Sequence, residues 1–262
     1  MKIKKLLALG MAALTLVAFS AGCGKTDTTK QELPKKVVIG LDDTFAPMGF
    51  RNDKGELVGF DIDMAKEAAK RAGMEVEFKP IDWDSKEAEL KSKHIDILWN
   101  GLTILEERKD KILFSDPYMA DHQMIVVRAD SPISNFDDLK GKIVGTQQAS
   151  TADFYFQKPE NKQKVKEVKF YGDFVNAFVD LELGRVDALI VDEIMAGYTL
   201  TQKQGFKMVD SGLPKDNVGV GFRIEDTALR DKINTVLAEM KKDGTADKIA
   251  TKWFGNANLI SK

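Results

Sequence analysis

Few residues in this chain combine the types and spacings that bond-breaking chemistry requires. Histidine occurs only at His94 and His122, and neither sits at a metal-ligand spacing or in a nucleophile motif. His94, within Lys91-Ser92-Lys93-His94, reads as the solvated end of a helix. No Walker loop is present, and Gly219-Val220-Gly221 lacks the third glycine and following helix of a dinucleotide fingerprint, so it reads as strand flexibility. The carboxylates are dispersed, and no glycosidase-like pair stands out among them. Taken alone, Arg108 in Glu106-Glu107-Arg108-Lys109-Asp110 reads as a solvated helix face, and Asp192 as the cap of a following helix. Cys23 is the only cysteine, so no internal disulfide can form and stability must come from core burial. Nothing here demands catalysis.

The elements that position these residues begin after an N-terminal leader. Met1–Lys5 carries three lysines and no acid, Leu6–Phe19 is almost wholly apolar, and Ser20-Ala21-Gly22 leads to Cys23. This is the pattern of a secretory signal over residues 1–22, its apolar stretch shorter than the ~20 residues that span a bilayer. Small residues before a sole cysteine also resemble the lipobox of bacterial lipoproteins, with Ser20 where leucine is usual, which implies acylation of Cys23. Removing the leader shifts the formal charge from −2 to −5, and a mildly acidic chain gives no reason to expect nucleic acid as partner. Residues 23–36 are polar and aperiodic, and read as a flexible tether. The remaining length suits one large domain or two smaller ones.

From Val37-Val38-Ile39 onward, strand-like and helix-like segments alternate. Gly59-Phe60-Asp61 opens a helix with Met64, Ala68 and Ala72 on one face, stopped by Gly73. Met74–Phe78 alternates like a strand, a helix ends near Leu90, and Ile95–Trp99 is again a strand. Met124-Ile125-Val126-Val127 leads to a second series: a strand at Ile143-Val144-Gly145, a helix from Thr151, an amphipathic helix over Asp173–Leu183 and a strand over Asp187–Val191. Val218–Phe222 and two helices, Ala228–Lys242 and Thr245–Phe254, close the chain. Such alternation predicts open, mostly parallel sheets covered by helices. Two series joined near Val126–Asp130 and Val218–Phe222 suggest two lobes, although periodicity alone does not establish a double crossing.

Six segments in register are more specific. Gly40–Phe50 and Gly55–Asp63 come first, followed by Asp82-Trp83-Asp84, Asn100–Arg108, Phe114–Tyr118 and Gly184–Ala188. With the closing Lys252-Trp253-Phe254-Gly255 they resemble the polar amino-acid substrate-binding proteins of ABC importers, bacterial extracellular solute-binding protein family 3. That resemblance implies a two-lobed, type II periplasmic-binding-protein-like α/β fold with a two-strand hinge. Residues 37–126 and 222–262 would form lobe one, and 127–221 lobe two. It also implies an amino-acid site between the lobes, with Arg108 holding the carboxylate. Guanidinium suits that task because it makes parallel charge-assisted bonds and does not deprotonate. Thr103 supplies an N–H and a hydroxyl nearby, the Gly101 carbonyl accepts from the ammonium, and Asp192 pairs with the ammonium from lobe two. Thr151, at a helix start, reaches the carboxylate from lobe two. Asn100 and Gln147 belong to the same set.

Phe45 and Trp83 match aromatic positions that stack on the ligand side chain, and Asp42 a carboxylate that reads its polar end. Phe50 and Phe60 read as core. Two departures from the family pattern stand out: Ala149 where glycine is common, and the charged run Ser85-Lys86-Glu87-Ala88-Glu89. Glu87 or Asp42 facing the cleft would favour a cationic or amide side chain, whereas Lys86 and Glu89 read as a solvated helix face. The resemblance implies ligand-driven closure, a monomer without cofactor or metal, and an ABC permease with its ATPase as partner. The location would be extracytoplasmic, on the membrane through Cys23. Arginine, lysine, glutamine and histidine are the leading ligands. Two rivals share the fold: a cyclohexadienyl-dehydratase-like enzyme, with Glu193 as candidate acid, and a ligand-sensing module.

Overall fold

A computed structural model describes residues 32–261; the leader, Cys23 and the tether as far as residue 31 lie outside them. The chain begins with β1 (Lys36–Leu41) and three short strands, β2 (Thr44–Phe45), β3 (Gly49–Arg51) and β4 (Leu57–Val58). It continues through α1 (Phe60–Ala72), β5 (Glu75–Pro80), α2 (Lys86–Lys91), β6 (Ile97–Leu98), β7 (Leu113–Phe114) and β8 (Met119–Arg128). Next come β9 (Ile143–Gln147), α3 (Thr151–Gln157), α4 (Pro159–Lys162), β10 (Glu167–Tyr171), α5 (Phe174–Glu182) and β11 (Ala188–Asp192). The last elements are α6 (Glu193–Gln202), β12 (Phe206–Val218), β13 (Gly221–Phe222), α7 (Thr227–Lys242) and α8 (Thr245–Phe254). Among the described residues no helix is long and apolar enough to cross a membrane.

Two five-stranded sheets form the two lobes, in the orders β5-β1-β6-β13-β7 and β10-β9-β11-β8-β12; β2-β3-β4 make a small third sheet. In each large sheet the first three strands pair in parallel, and the remaining pairings, made through β13 and β8, are antiparallel. The parallel strands belong to βαβ crossovers, while the antiparallel ones carry the chain between lobes and need no crossover helix. The chain leaves the first sheet after Phe114, enters the second at Met119, and returns between Val218 and Gly221. The boundary read from sequence at 126/127 therefore falls inside β8, which pairs with β12 from Met119 onward.

At the crossing, β8 and β12 form an antiparallel ladder from Met119↔Val218 to His122↔Lys215. A third segment joins it. Ile260 bridges Met119, Ala120 N–H donates to the Leu259 carbonyl at 2.9 Å, and Ser261 N–H to that of Tyr118 at 3.1 Å. The hinge strands are thus braced by the C-terminal segment.

Helix periodicity builds the core of lobe one. α1 buries Phe60, Met64, Ala65 and Ala68 against α7, which buries Leu229, Ile233, Val236, Leu237 and Met240. Gly73 ends α1 in the left-handed region at φ 73°, where glycine has no Cβ penalty. Gly59 precedes α1 at φ 147°, and a Cβ there would lie 2.2 Å from the Met48 carbonyl oxygen. In lobe two, β11 is buried on both faces: Leu189 and Val191 join one cluster, Ala188 and Ile190 another. That explains its unbroken apolar run.

Candidate functional site

The strands of both lobes point their carboxyl ends at one crevice, where open α/β sheets characteristically place ligands. β1 leads to Asp42, β6 to Asn100, Gly101 and Thr103, while β9 ends at Gln147 and β11 at Asp192. A cavity of about 20 Å³ lies between them. It is lined by Asp42, Phe45, Trp83, Asn100, Gly101 and Arg108 from lobe one, and by Gln147, Ser150, Thr151 and Asp192 from lobe two.

Arg108 closes a short 3-10 turn, Glu106–Arg108, and is only 1% exposed. Its Nη1 donates to the Thr103 carbonyl at 2.8 Å and its Nη2 to the Ala149 carbonyl, across the cleft, at 3.0 Å. Nε finds no acceptor among the described residues. Burial pushes the guanidinium down to about 10, against the opposing pull of the Asp192 charge, so it stays charged at neutral pH. The guanidinium also lies 5.1 Å from the Phe154 ring centre.

Beside it, Gly101 adopts φ +60°, and a Cβ there would approach the Phe45 ring to 3.0 Å. Its N–H donates to the buried Asp61 carboxyl at 2.7 Å, and the Tyr118 hydroxyl donates to the other oxygen, also at 2.7 Å. Burial pushes the Asp61 carboxyl up to about 7 in spite of these bonds. Asp42 accepts from the Thr44 N–H and hydroxyl, at 2.9 and 2.6 Å, and from Gln147 Nε2 across the cleft at 2.8 Å. Burial raises its affinity for a proton, partly offset by the Thr44 and Gln147 bonds.

Lobe two presents a tight turn leading into α3. Ala149 takes φ +56°, a left-handed conformation that glycine enters freely and alanine at some cost. Its N–H donates to Asp153 Oδ2 at 2.7 Å, and Ser150 caps α3 by accepting from the Asp153 N–H at 3.2 Å. The Thr151 hydroxyl donates to that of Thr103 at 2.8 Å. Asp192 makes no side-chain cap to α6; it accepts instead from Gln123 Nε2 at 2.8 Å. Asp121 lies beneath it, its carboxyl driven well above the ordinary range by burial and by the Asp192 charge.

Nine of the ten residues singled out from sequence line this cavity. The tenth, Thr103, bonds to Arg108 and Thr151 at its wall. Arg108 is buried, unlike the solvated helix face its charged neighbours suggest. Lys86 likewise departs from the solvated face expected of it: it is 1% exposed, because α2 buries Lys86 and Leu90 on one face. Glu87 instead pairs with Lys111 at 3.0 Å. Glu193 lines a separate groove with Tyr198, Trp253 and Phe254, and His122 bonds to the Leu213 carbonyl at 2.7 Å. Phe60 is core, while Phe50 packs against Tyr198 and Trp253 at ring separations of 5.5 and 5.9 Å. Ser150 and Asp121 were not anticipated; the Ser150–Asp153 spacing is a helix-start signal that would have found the first. Among the described residues no three His, Cys, Asp or Glu side chains cluster to hold a metal.

The arrangement offers a buried cationic fork and an anionic acceptor on facing walls, with aromatic rings and a second carboxylate at the remaining side. Residues 37–256 match the model of the bacterial extracellular solute-binding proteins, family 3. The L-cystine-binding protein TcyJ of Escherichia coli (strain K12) is 35% identical over 264 residues, covering 96% of this chain and 98% of that protein. The arginine-binding extracellular protein ArtP of Bacillus subtilis (strain 168) is 35% identical over 258 residues, with the same coverage. Among solved structures, an ABC uptake transporter substrate binding protein from Streptococcus pneumoniae with bound histidine superposes with a TM-score of 0.84. It is 39% identical, over 87% of this chain and 95% of that one.

Proposed function

Because the chain belongs to the bacterial extracellular solute-binding proteins, family 3, we propose that it captures a free polar amino acid between its lobes and delivers it to an ABC permease. The observation that carries this reading is the facing pair Arg108 and Asp192 in one cavity. An amino acid brings a carboxylate and an ammonium, and each needs a buried partner of opposite charge. The Arg108 guanidinium, with its Nε unpaired among the described residues, fits the carboxylate together with the Thr103 and Thr151 hydroxyls. Asp192 and the Gly101 carbonyl fit the ammonium. Asp42, Phe45, Trp83, Asn100 and Gln147 surround the side chain.

Lobe one supplies the fork and lobe two the acid, so only contact between the lobes satisfies both charges, and binding favours closure by that difference. TcyJ and ArtP are named for cystine and arginine, and the S. pneumoniae protein was solved with histidine bound, which supports a polar side chain without choosing one. A lipid on Cys23 would hold the protein at the outer face of the membrane; a membrane-extracted protein whose intact mass shows Cys23 unmodified would refute that part.

The test is a thermal-shift screen against all free amino acids. An amino acid present at ~100 times its Kd stabilises by about 2.7 kcal/mol. A clear rise in Tm for one or a few polar amino acids, absent in Arg108→Ala, is expected. A folded protein that shifts with none of them would remove the carboxylate–ammonium reading.

A further inference from the structure

Lys86 is the single lysine among the described residues that is essentially sealed from solvent, and nothing in the ligand arrangement above uses it. An ammonium taken out of water costs several kcal/mol unless it finds partners. Lys86 Nζ finds two carbonyls. One belongs to Trp83, in its own lobe, at 3.1 Å; the other belongs to Ala149, across the cleft, at 3.0 Å. The ammonium also lies 4.9 Å from the centre of the Trp83 ring, which lines the cavity.

The Ala149 carbonyl is shared, since Arg108 Nη2 donates to the same oxygen at 3.0 Å. Two cations of lobe one therefore converge on one backbone oxygen of lobe two. That oxygen is held for them by the left-handed Ala149 backbone and by the Ala149 N–H bond to Asp153. Burial and the Arg108 charge press the ammonium down to about 7, while Glu87, Asp84 and Asp153 oppose them. It is held where charge is costly.

We infer that Lys86 is a positioning residue of the amino-acid site: it draws the Ala149 turn of lobe two onto Arg108 and thereby sets how long a bound amino acid is retained. This rests on the amino-acid-binding reading. The Trp83 bond lies within lobe one and is available in any lobe arrangement. The Ala149 bond exists only when the lobes meet, so Lys86 acts on escape from the closed cleft and not on capture by lobe one.

The experiment compares wild type, Lys86→Met and Lys86→Gln by stopped flow with L-arginine, L-histidine, L-glutamine and L-cystine. Interlobe distances are followed in parallel, with and without these amino acids, by spin labels on K54C and K140C in a C23S background. Lys86→Met should speed dissociation ~10-fold or more, as expected for loss of a charged hydrogen bond, leave association nearly unchanged, and reduce the closed fraction. Lys86→Gln, which keeps a neutral donor, should fall between, and it carries the test if Lys86→Met does not fold. Equal dissociation rates and closed fractions in all three proteins would overturn the inference. Should the wild type bind none of the four, the amino-acid reading fails separately. The closed fraction then still decides: lowered by Lys86→Met it supports the latch, unchanged it removes it.

Discussion

Asp61 and Lys86 show how burial sets the cost of charge at single residues near this cleft. Asp61 holds its proton up to about 7, so its folded-state pKa lies above the unfolded value near 3.8. A group shifted in that direction contributes stability that is complete below about pH 4 and is lost as the pH rises towards 7. Lys86 is shifted down to about 7, so its contribution is complete above about 10.5 and is lost as the pH falls towards 7. The two costs are therefore both in full force only near neutrality. Urea unfolding of the wild type should give a free energy that declines between pH 5 and 7, with Asp61 contributing at most about 1.4 kcal/mol per pH unit. Asp61→Asn should flatten that decline; an identical slope in the variant would assign it elsewhere. Asp61 was visible in the sequence only as part of a motif, because a fully buried carboxylate looks like any helix-start acid. Lys86 was hidden for the same reason, since charge alone points a residue at water. Leu90, one turn on and buried, was the signal that it faces inward.

At the level of elements, the hinge carries more than the two strands anticipated. Ending the chain after Gly255 removes the Ile260 bridge and two backbone hydrogen bonds to the root of β8, each worth about 1 kcal/mol net. For a body of this size, a loss of about 2 kcal/mol lowers Tm by roughly 4–8 °C. Calorimetry of the shortened chain checks this, and an unchanged Tm would show that the segment braces nothing. The regular helices were legible because their apolar positions repeat at helical spacing, as in α1 and α7, and β11 because its apolar run is unbroken. The start of β8 was not, because its inward positions beyond Met119 are Asp121 and Gln123, which reverse the usual inside-apolar pattern. β12 was not either: it carries Gly212 and Pro214 where its register with β8 shifts, and a strand with such residues reads as loop. The candidate site was readable as a set of positions through family resemblance. The contacts between its walls, made by Gln147, Ala149 and Lys86, were not, since they depend on how two separately patterned lobes meet.

Across the whole molecule the lobes share a core. One apolar cluster includes Ile39, Phe60 and Trp99 of lobe one together with Phe178, Leu189 and Val191 of lobe two. Such continuity predicts that the lobes unfold together. All three tryptophans, Trp83, Trp99 and Trp253, belong to lobe one, so their fluorescence reports that lobe while far-ultraviolet circular dichroism reports both. The two signals should trace one urea transition; separated midpoints would mean that the lobes unfold independently.

The path of the chain between sheets also has a bearing on the order in which the protein can be built. Lobe two is contiguous from Met119 to Val218, so everything its sheet needs is present once that stretch has emerged. Lobe one starts earlier yet waits for β13, α7 and α8 to return from the far end of the sequence, and the hinge brace waits for Leu259–Ser261. As the chain is made, the later-made lobe can therefore be finished first, and the cleft can take its shape only when Leu259–Ser261 arrive.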